Sequence, residues 1–144
     1  WLQGESDGGS YIEYKLKMQV LWEHLQELGF THFFILRVGF WGSTSVINEI
    51  KAQTDFCAEN ENCYIVTKAP SLIPHPSANT TNWWISEPSS EYADCRDSYL
   101  ANTSNHHFNE KAHKIFARRS AENINRILHL GLPPVLEEEN IKGL

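Results

Sequence analysis

Residues 33–38, Phe-Phe-Ile-Leu-Arg-Val, decide the fold class of this chain of 144 residues. Apolar residues stand side by side in this run instead of alternating with polar ones. That pattern is typical of a strand that is covered on both faces of a sheet. Thr31 precedes the run and Gly39 follows it. The sequence therefore predicts a buried strand over residues 33–38.

A helical pattern precedes this strand. Residues 11–28 carry apolar side chains at helical spacing, and Gly29 is a natural residue to end the helix. Ser10 and Glu13 have the order and spacing of a capping box, which predicts the start of the helix. The core face predicted for this helix consists of Ile12, Leu16, Val20, Leu21, Leu25 and Leu28.

Further elements follow the strand. A second helical stretch has an apolar face formed by Val46, Ile47, Ile50 and Phe56. Residues 64–66 predict a second strand, and residues 68–104, rich in Pro, Ser, Asn and Thr, predict a long irregular segment. Residues 109–129 predict the last helix, with an N-cap at Asn109 and an apolar face formed by Ile115, Phe116, Ile124, Ile127 and Leu128. The acidic residues 137–139 predict a solvated tail.

Alternating helices and strands predict an α/β fold with a parallel sheet between layers of helices. Two strands alone make a poor core, so we expect the sheet to be incomplete and its other strands to lie upstream of Trp1. The chain has 12 Lys and Arg against 18 Asp and Glu, a net charge of −6, and no basic stripe that would bind nucleic acid. No apolar run approaches the roughly 20 residues that cross a bilayer.

Two polar clusters stand where loops of the sheet are expected. Residues 3–7, Gln-Gly-Glu-Ser-Asp, come where a strand would end and a helix would begin, which is where open α/β sheets bind ligands. The alternative is a polar turn that leads into a helix cap. Residues 105–109, Asn-His-His-Phe-Asn, precede the last helix, and a histidine there could act as a general base near neutral pH. The alternative is an ordinary hydrogen-bonded histidine.

Together the two clusters resemble the blocks of a known enzyme family. Residues 1–7, Trp-Leu-Gln-Gly-Glu-Ser-Asp, resemble the W-x-Q-G-E-x-D/N block of sialate O-acetylesterase-like carbohydrate esterases, a family of the SGNH hydrolase superfamily that includes acetylxylan esterases. Residues 107–109, His-Phe-Asn, resemble its last block, D-x-x-H-[FL]-[NS]. The resemblance implies a three-layer, flavodoxin-like parallel sheet flanked by helices, of which residues 1–144 are the C-terminal portion of a single domain.

The resemblance also implies roles for individual residues. The family removes acetyl groups from sugars, here of the sialic acid or xylan type, through an acyl-serine intermediate and without a cofactor. His107 matches the family's general base, with His106 as its competing neighbour. Gln3 matches the amide that helps to bind the oxyanion. Glu5 and Asp7 are expected to hold the same loop and its hydrogen bonds beside the substrate.

Two positions depart from the family pattern. The nucleophile belongs to a G-x-S-N block that this chain does not contain, so we expect the serine upstream and this chain alone to be inactive. Ser104 stands where the last block has its Asp, and a serine cannot supply the charge that stabilises an imidazolium. We therefore expect Glu5, or a backbone carbonyl near Asn105, to accept a hydrogen bond from His107.

The remaining features are less specific. Trp83 and Trp84 could line a sugar-binding cleft or anchor the long loop. The histidines lack partners at zinc-ligand spacing, so no metal is expected. Cys57 and Cys63 could form a disulfide, which would leave Cys95 single. The compartment stays open, and among the alternatives we favour a periplasmic or secreted one.

Two other interpretations compete with an esterase. The chain could be a carbohydrate-binding remnant that keeps the cleft but lacks the nucleophile. It could also be an α/β domain whose match to the two blocks is accidental. A G-x-S-N block upstream of Trp1 would favour the enzyme, whereas a start codon there would favour the remnant.

Overall fold

The computed structural model describes residues 1–4, 10–39, 45–73 and 108–138. Helices and strands alternate over the first four of the elements described, as the sequence predicts. The elements are α1 (Tyr11–Glu27), β1 (Phe33–Leu36), α2 (Ser45–Glu59), β2 (Cys63–Thr67), α3 (Ala69–Leu72) and α4 (Glu110–Leu130). The fold class is therefore α/β.

The two strands pair in parallel, with Phe33 opposite Cys63 and Leu36 opposite Thr67. One core cluster joins α1 and α2 to Phe33 and Ile35, and a second joins α3 and α4 to Leu36. Side chains alternate between the two faces of a strand, so these clusters lie on opposite faces of the sheet. The result is a three-layer arrangement with α1 and α2 on one side and α4 on the other.

The core face of α1 matches the predicted one only in part: Leu21 and Leu25 pack against the core, whereas Ile12 and Leu28 are exposed. Tyr14, Met18 and Trp22 are buried, whereas Leu16 and Val20 are 60% and 66% exposed. The two sets are each spaced by four residues and are offset by two, which puts them on opposite sides of the helix. Both sets are apolar, so spacing alone could not decide between them, and the larger aromatic side chains face the sheet.

The ends of the helices agree closely with the sequence. Ser10 caps α1 by accepting a hydrogen bond from the Glu13 backbone, and Asn109 caps α4 in the same way through Ala112. Gly131 ends α4 in the left-handed conformation. In α4, however, Leu128 is exposed, and the buried face instead includes Asn123.

The bounds of both strands also differ from the predicted ones. β1 ends at Leu36, two residues earlier than predicted, and its side chains alternate between buried and half-buried. The strand is therefore not equally covered on both faces. β2 covers Cys63–Thr67, one residue longer at each end than predicted.

The acidic tail is not simply solvated, which corrects the prediction for its first residue. The Glu137 carboxylate accepts hydrogen bonds from the Thr67 hydroxyl at 2.6 Å and from the Lys68 backbone at 2.7 Å. Asn123 holds the same segment, since its amide bonds both backbone groups of Val135 and also donates to the Val66 carbonyl. These contacts tie the tail to the end of β2. In the described ranges no helix has the length and apolar character to cross a membrane.

Candidate functional site

The segment before α1 runs alongside β1. The Trp1 backbone nitrogen donates to the Phe34 carbonyl at 2.9 Å, and the Trp1 carbonyl accepts from the Leu36 nitrogen at 2.8 Å. Two bonds that flank Ile35 in this way are the pattern of a parallel bridge. Trp1 therefore continues the sheet on the side of β1 away from β2, and Gln3 follows at the carboxyl edge of the sheet.

Two buried side chains hold the backbone of Gln3. The Tyr14 hydroxyl donates to the Gln3 carbonyl at 2.6 Å, and the Gln53 amide nitrogen donates to that hydroxyl at 2.9 Å and to the same carbonyl at 3.3 Å. The Gln53 amide oxygen accepts from the Val38 backbone nitrogen at 2.9 Å. We refer to Tyr14 and Gln53 as the buried clamp. It joins α1, α2 and the carboxyl ends of two adjacent extended segments.

Gly4 is required by this arrangement. Its φ of +140° is a conformation that side chains with a Cβ rarely adopt. A Cβ at this position would stand 2.8 Å from the Tyr14 hydroxyl oxygen, closer than real contacts allow. The glycine therefore lets the chain turn directly against the buried clamp.

The Gln3 side chain is exposed, next to a surface cleft. The cleft has a volume of about 310 Å³ and is lined by Trp1, Gln3, Tyr14, Lys17, Met18 and Leu21. Its walls are mostly apolar, and Gln3 and Lys17 are among its polar lining residues. An amide that is free to point outwards from a fixed backbone is suited to donate a hydrogen bond to a ligand.

The residues that follow His107 lie at the same edge of the sheet. Phe108 packs against the cluster formed by α3 and the first turns of α4, to which Leu36 at the end of β1 also contributes. Its ring lies edge-on to Phe116, with centroids 4.9 Å apart. His107 itself lies outside the described residues, as do Glu5, Asp7, Trp83 and Trp84.

A buried arginine near this edge was not anticipated. Arg37 directly follows β1, is 1% exposed, and donates through Nε to the Ser71 hydroxyl at 2.7 Å. The Ser71 hydroxyl in turn donates to the Lys68 carbonyl at 2.8 Å. A single charged residue inside an apolar run was the only signal in the sequence. These bonds link the end of β1 to the segment after β2.

Cys57 and Cys63, which we name the thiol pair, are free thiols, so the disulfide that the sequence allowed is absent. Burial raises the pKa of each thiol to about 12, and at Cys57 the neighbouring Cys63 adds to the shift. Both groups are therefore protonated and poorly nucleophilic near neutral pH. Cys95 lies outside the described residues.

The described segments contain no group of three or more His, Cys, Asp or Glu side chains that could hold a metal ion. Among their residues, the candidate site takes in the exposed Gln3, the buried clamp behind it and, on the other face of the sheet, the start of α4. No protein-family model, curated protein or solved structure matches the chain.

Proposed function

We propose that the intact protein is an SGNH-type carbohydrate O-acetylesterase, which removes acetyl groups from a sugar through an acyl-serine intermediate. One observation carries the proposal: the two sequence blocks that resemble this family lead to one edge of the sheet. Gln3 follows a segment paired in parallel with β1, and Phe108 packs beside the residues that follow β2. Ligands of open α/β sheets bind at this carboxyl edge.

The proposed reaction divides the work between two residues of this chain. His107, covalently next to Phe108, takes the proton of the serine hydroxyl as the serine oxygen attacks the acetyl carbonyl. The Gln3 amide donates a hydrogen bond to the resulting oxyanion, and one such donor contributes about 3 kcal/mol to transition-state stabilisation. His107 then gives its proton to the departing sugar oxygen, which leaves an acetyl-serine.

Water completes the proposed cycle. His107 takes a proton from a water molecule, the water oxygen attacks the acetyl-serine carbonyl, and the proton returns to the serine as acetate leaves. Glu5 or a backbone carbonyl would hold the second imidazole nitrogen, and Asp7, Trp83 and Trp84 would lie beside the sugar. No cofactor takes part in this chemistry.

The proposal requires a serine in polypeptide that precedes Trp1, as part of the same domain. Exposed apolar side chains support further packing at this side of the sheet, because Trp1 and Leu2 remain 43% and 37% exposed. On the outer side of α1, away from the sheet, Leu16 and Val20 are also exposed. Exposed apolar surface of this kind is typical of a place where further polypeptide, a membrane or a ligand packs.

The test is hydrolysis of p-nitrophenyl acetate and of a panel of acetylated sugars by the intact protein. We expect His107→Ala to abolish turnover, with His129→Ala, in the exposed last turn of α4, as the matched control. We expect Gln3→Ala to lower kcat by about 10²–10³-fold with little change in KM. Unchanged turnover in His107→Ala would refute the proposal, and binding of an acetylated sugar without hydrolysis would favour the non-catalytic remnant.

A further inference from the structure

The hydrogen bonds of the buried clamp leave only one orientation for each group. A glutamine amide has two N–H donors and one carbonyl acceptor, and a tyrosine hydroxyl has one donor. The Gln53 oxygen must face the Val38 N–H, so its nitrogen must face Tyr14 and Gln3. The Tyr14 hydrogen is then directed to the Gln3 carbonyl. The clamp therefore specifies where that carbonyl lies.

The buried clamp connects residues 1–3 to the residues that follow β1, beyond the point where the backbone hydrogen bonds between these two segments end. The last backbone hydrogen bond described between them joins Leu36 to Trp1. Gln53 bridges the next positions through its side chain, with Val38 on one side and Gln3 on the other. Burial of this amide, which is 0% exposed, is costly unless all its hydrogen bonds are made. This polar bridge therefore fixes the position of Gln3 relative to Val38 at the carboxyl edge of the sheet.

We propose that Tyr14 and Gln53 are positioning residues for the Gln3 amide. This inference rests on the proposed esterase function. In the proposed reaction both residues act through the Gln3 backbone; Tyr14 also lines the cleft, whereas Gln53 is 0% exposed. They hold the backbone from which the oxyanion donor projects, and a displacement of a catalytic group by 1 Å can reduce a rate by about 10²-fold.

The experiment compares Tyr14→Phe with Tyr11→Phe in the intact protein. Each change removes one hydroxyl from α1 that bonds a residue of α2, since Tyr11 donates to Asp55 at 2.7 Å. Only the Tyr14 hydroxyl also reaches the Gln3 carbonyl. We expect Tyr14→Phe to lower kcat about tenfold at unchanged KM, less than loss of the oxyanion donor itself. Tyr11→Phe should leave both constants unchanged.

A double variant separates positioning from a general loss of stability. If Tyr14 acts through Gln3, Tyr14→Phe should cost nothing further in kcat once Gln3 is replaced by alanine, since coupled residues are not additive. A full tenfold loss in the Gln3→Ala background would overturn the inference. Equal kcat for Tyr14→Phe and Tyr11→Phe would also overturn it. An intact protein that hydrolyses no acetyl ester would instead refute the proposed function, and the catalytic role of the clamp with it.

Discussion

Replacement of Gly4 by alanine tests the buried clamp most directly. Two costs add in this variant. Holding a residue with a Cβ at a φ of +140° costs about 1–3 kcal/mol. The new Cβ would also stand 2.8 Å from the Tyr14 hydroxyl oxygen, and such overpacking costs about 1–3 kcal/mol. We therefore expect Gly4→Ala to lower the free energy of unfolding by about 3 kcal/mol, or the Tm by about 10 °C.

Urea and thermal unfolding measure this loss, and Gly131→Ala is the matched control. Gly131 also has a positive φ, +62°, but nothing lies within 4 Å of its Cβ position. Its replacement should cost only about 1 kcal/mol. Tyr14→Phe should cost less in the Gly4→Ala background than in the native one, because it relieves the close contact and the nearest remaining ring atoms lie at 3.1 Å. Equal losses for Gly4→Ala and Gly131→Ala would refute the close contact with Tyr14.

Three further predictions address packing and the thiols. Met18→Ala should cost about 2–5 kcal/mol in urea unfolding, and Leu16→Ala, on the opposite side of α1, less than about 0.5 kcal/mol; the reverse order would restore the predicted core face. Asn123→Ala should cost about 2 kcal/mol and speed hydrogen exchange in residues 132–138, whereas the exposed Asn125→Ala should change neither. Since burial raises the pKa of the thiol pair from 9.0 to about 12, stability should fall as pH rises from 9 towards 12. With the third cysteine replaced by serine, alkylation by iodoacetamide at pH 8 should be slow until urea unfolds the protein, and rapid labelling of the folded protein would contradict this burial.

Side-chain hydrogen bonds cross-link the carboxyl edge of the sheet. Gln53 links Gln3 to Val38, and Arg37 links the end of β1 to Ser71 after β2. Both links use side chains, and they add to the last backbone hydrogen bonds at this edge, from Leu36 to Trp1 and from Arg37 to Thr67. A binding site at this edge would therefore depend on buried polar residues behind it. Mutation of such a residue would lower activity even where the residue does not contact the ligand.

Local signals in the sequence predicted the order of α1, β1, α2, β2 and α4, but not the short α3, which lies in a segment predicted as irregular. Ser10 and Asn109 mark helix starts because their side chains accept backbone hydrogen bonds within the next turn. Gly131 marks a helix end because it adopts the left-handed conformation. These interactions involve residues close in sequence. The order of helices and strands, and with it the α/β class, could be predicted for the same reason.

The site was only partly predictable. The sequence placed Gln3 at the end of an extended segment, and the parallel bridge of Trp1 agrees with that position. The partners of Gln3 could not be predicted, because Gln53 lies 50 residues away and is one of many polar residues on a helix. Likewise, a run of glutamates predicts solvation, and nothing local indicates that Glu137 meets the end of β2.

The sequence by itself determined the order of the main helices and strands and the capping residues of α1 and α4, since capping and strand propensity act over a few residues. Only the tertiary structure decided which side of α1 enters the core, because two apolar sets on opposite sides satisfy the same helical period. It also decided which polar residues are buried. Burial of Gln53, Arg37 and Asn123 depends on partners that are distant in sequence and become neighbours only when the sheet and helices pack.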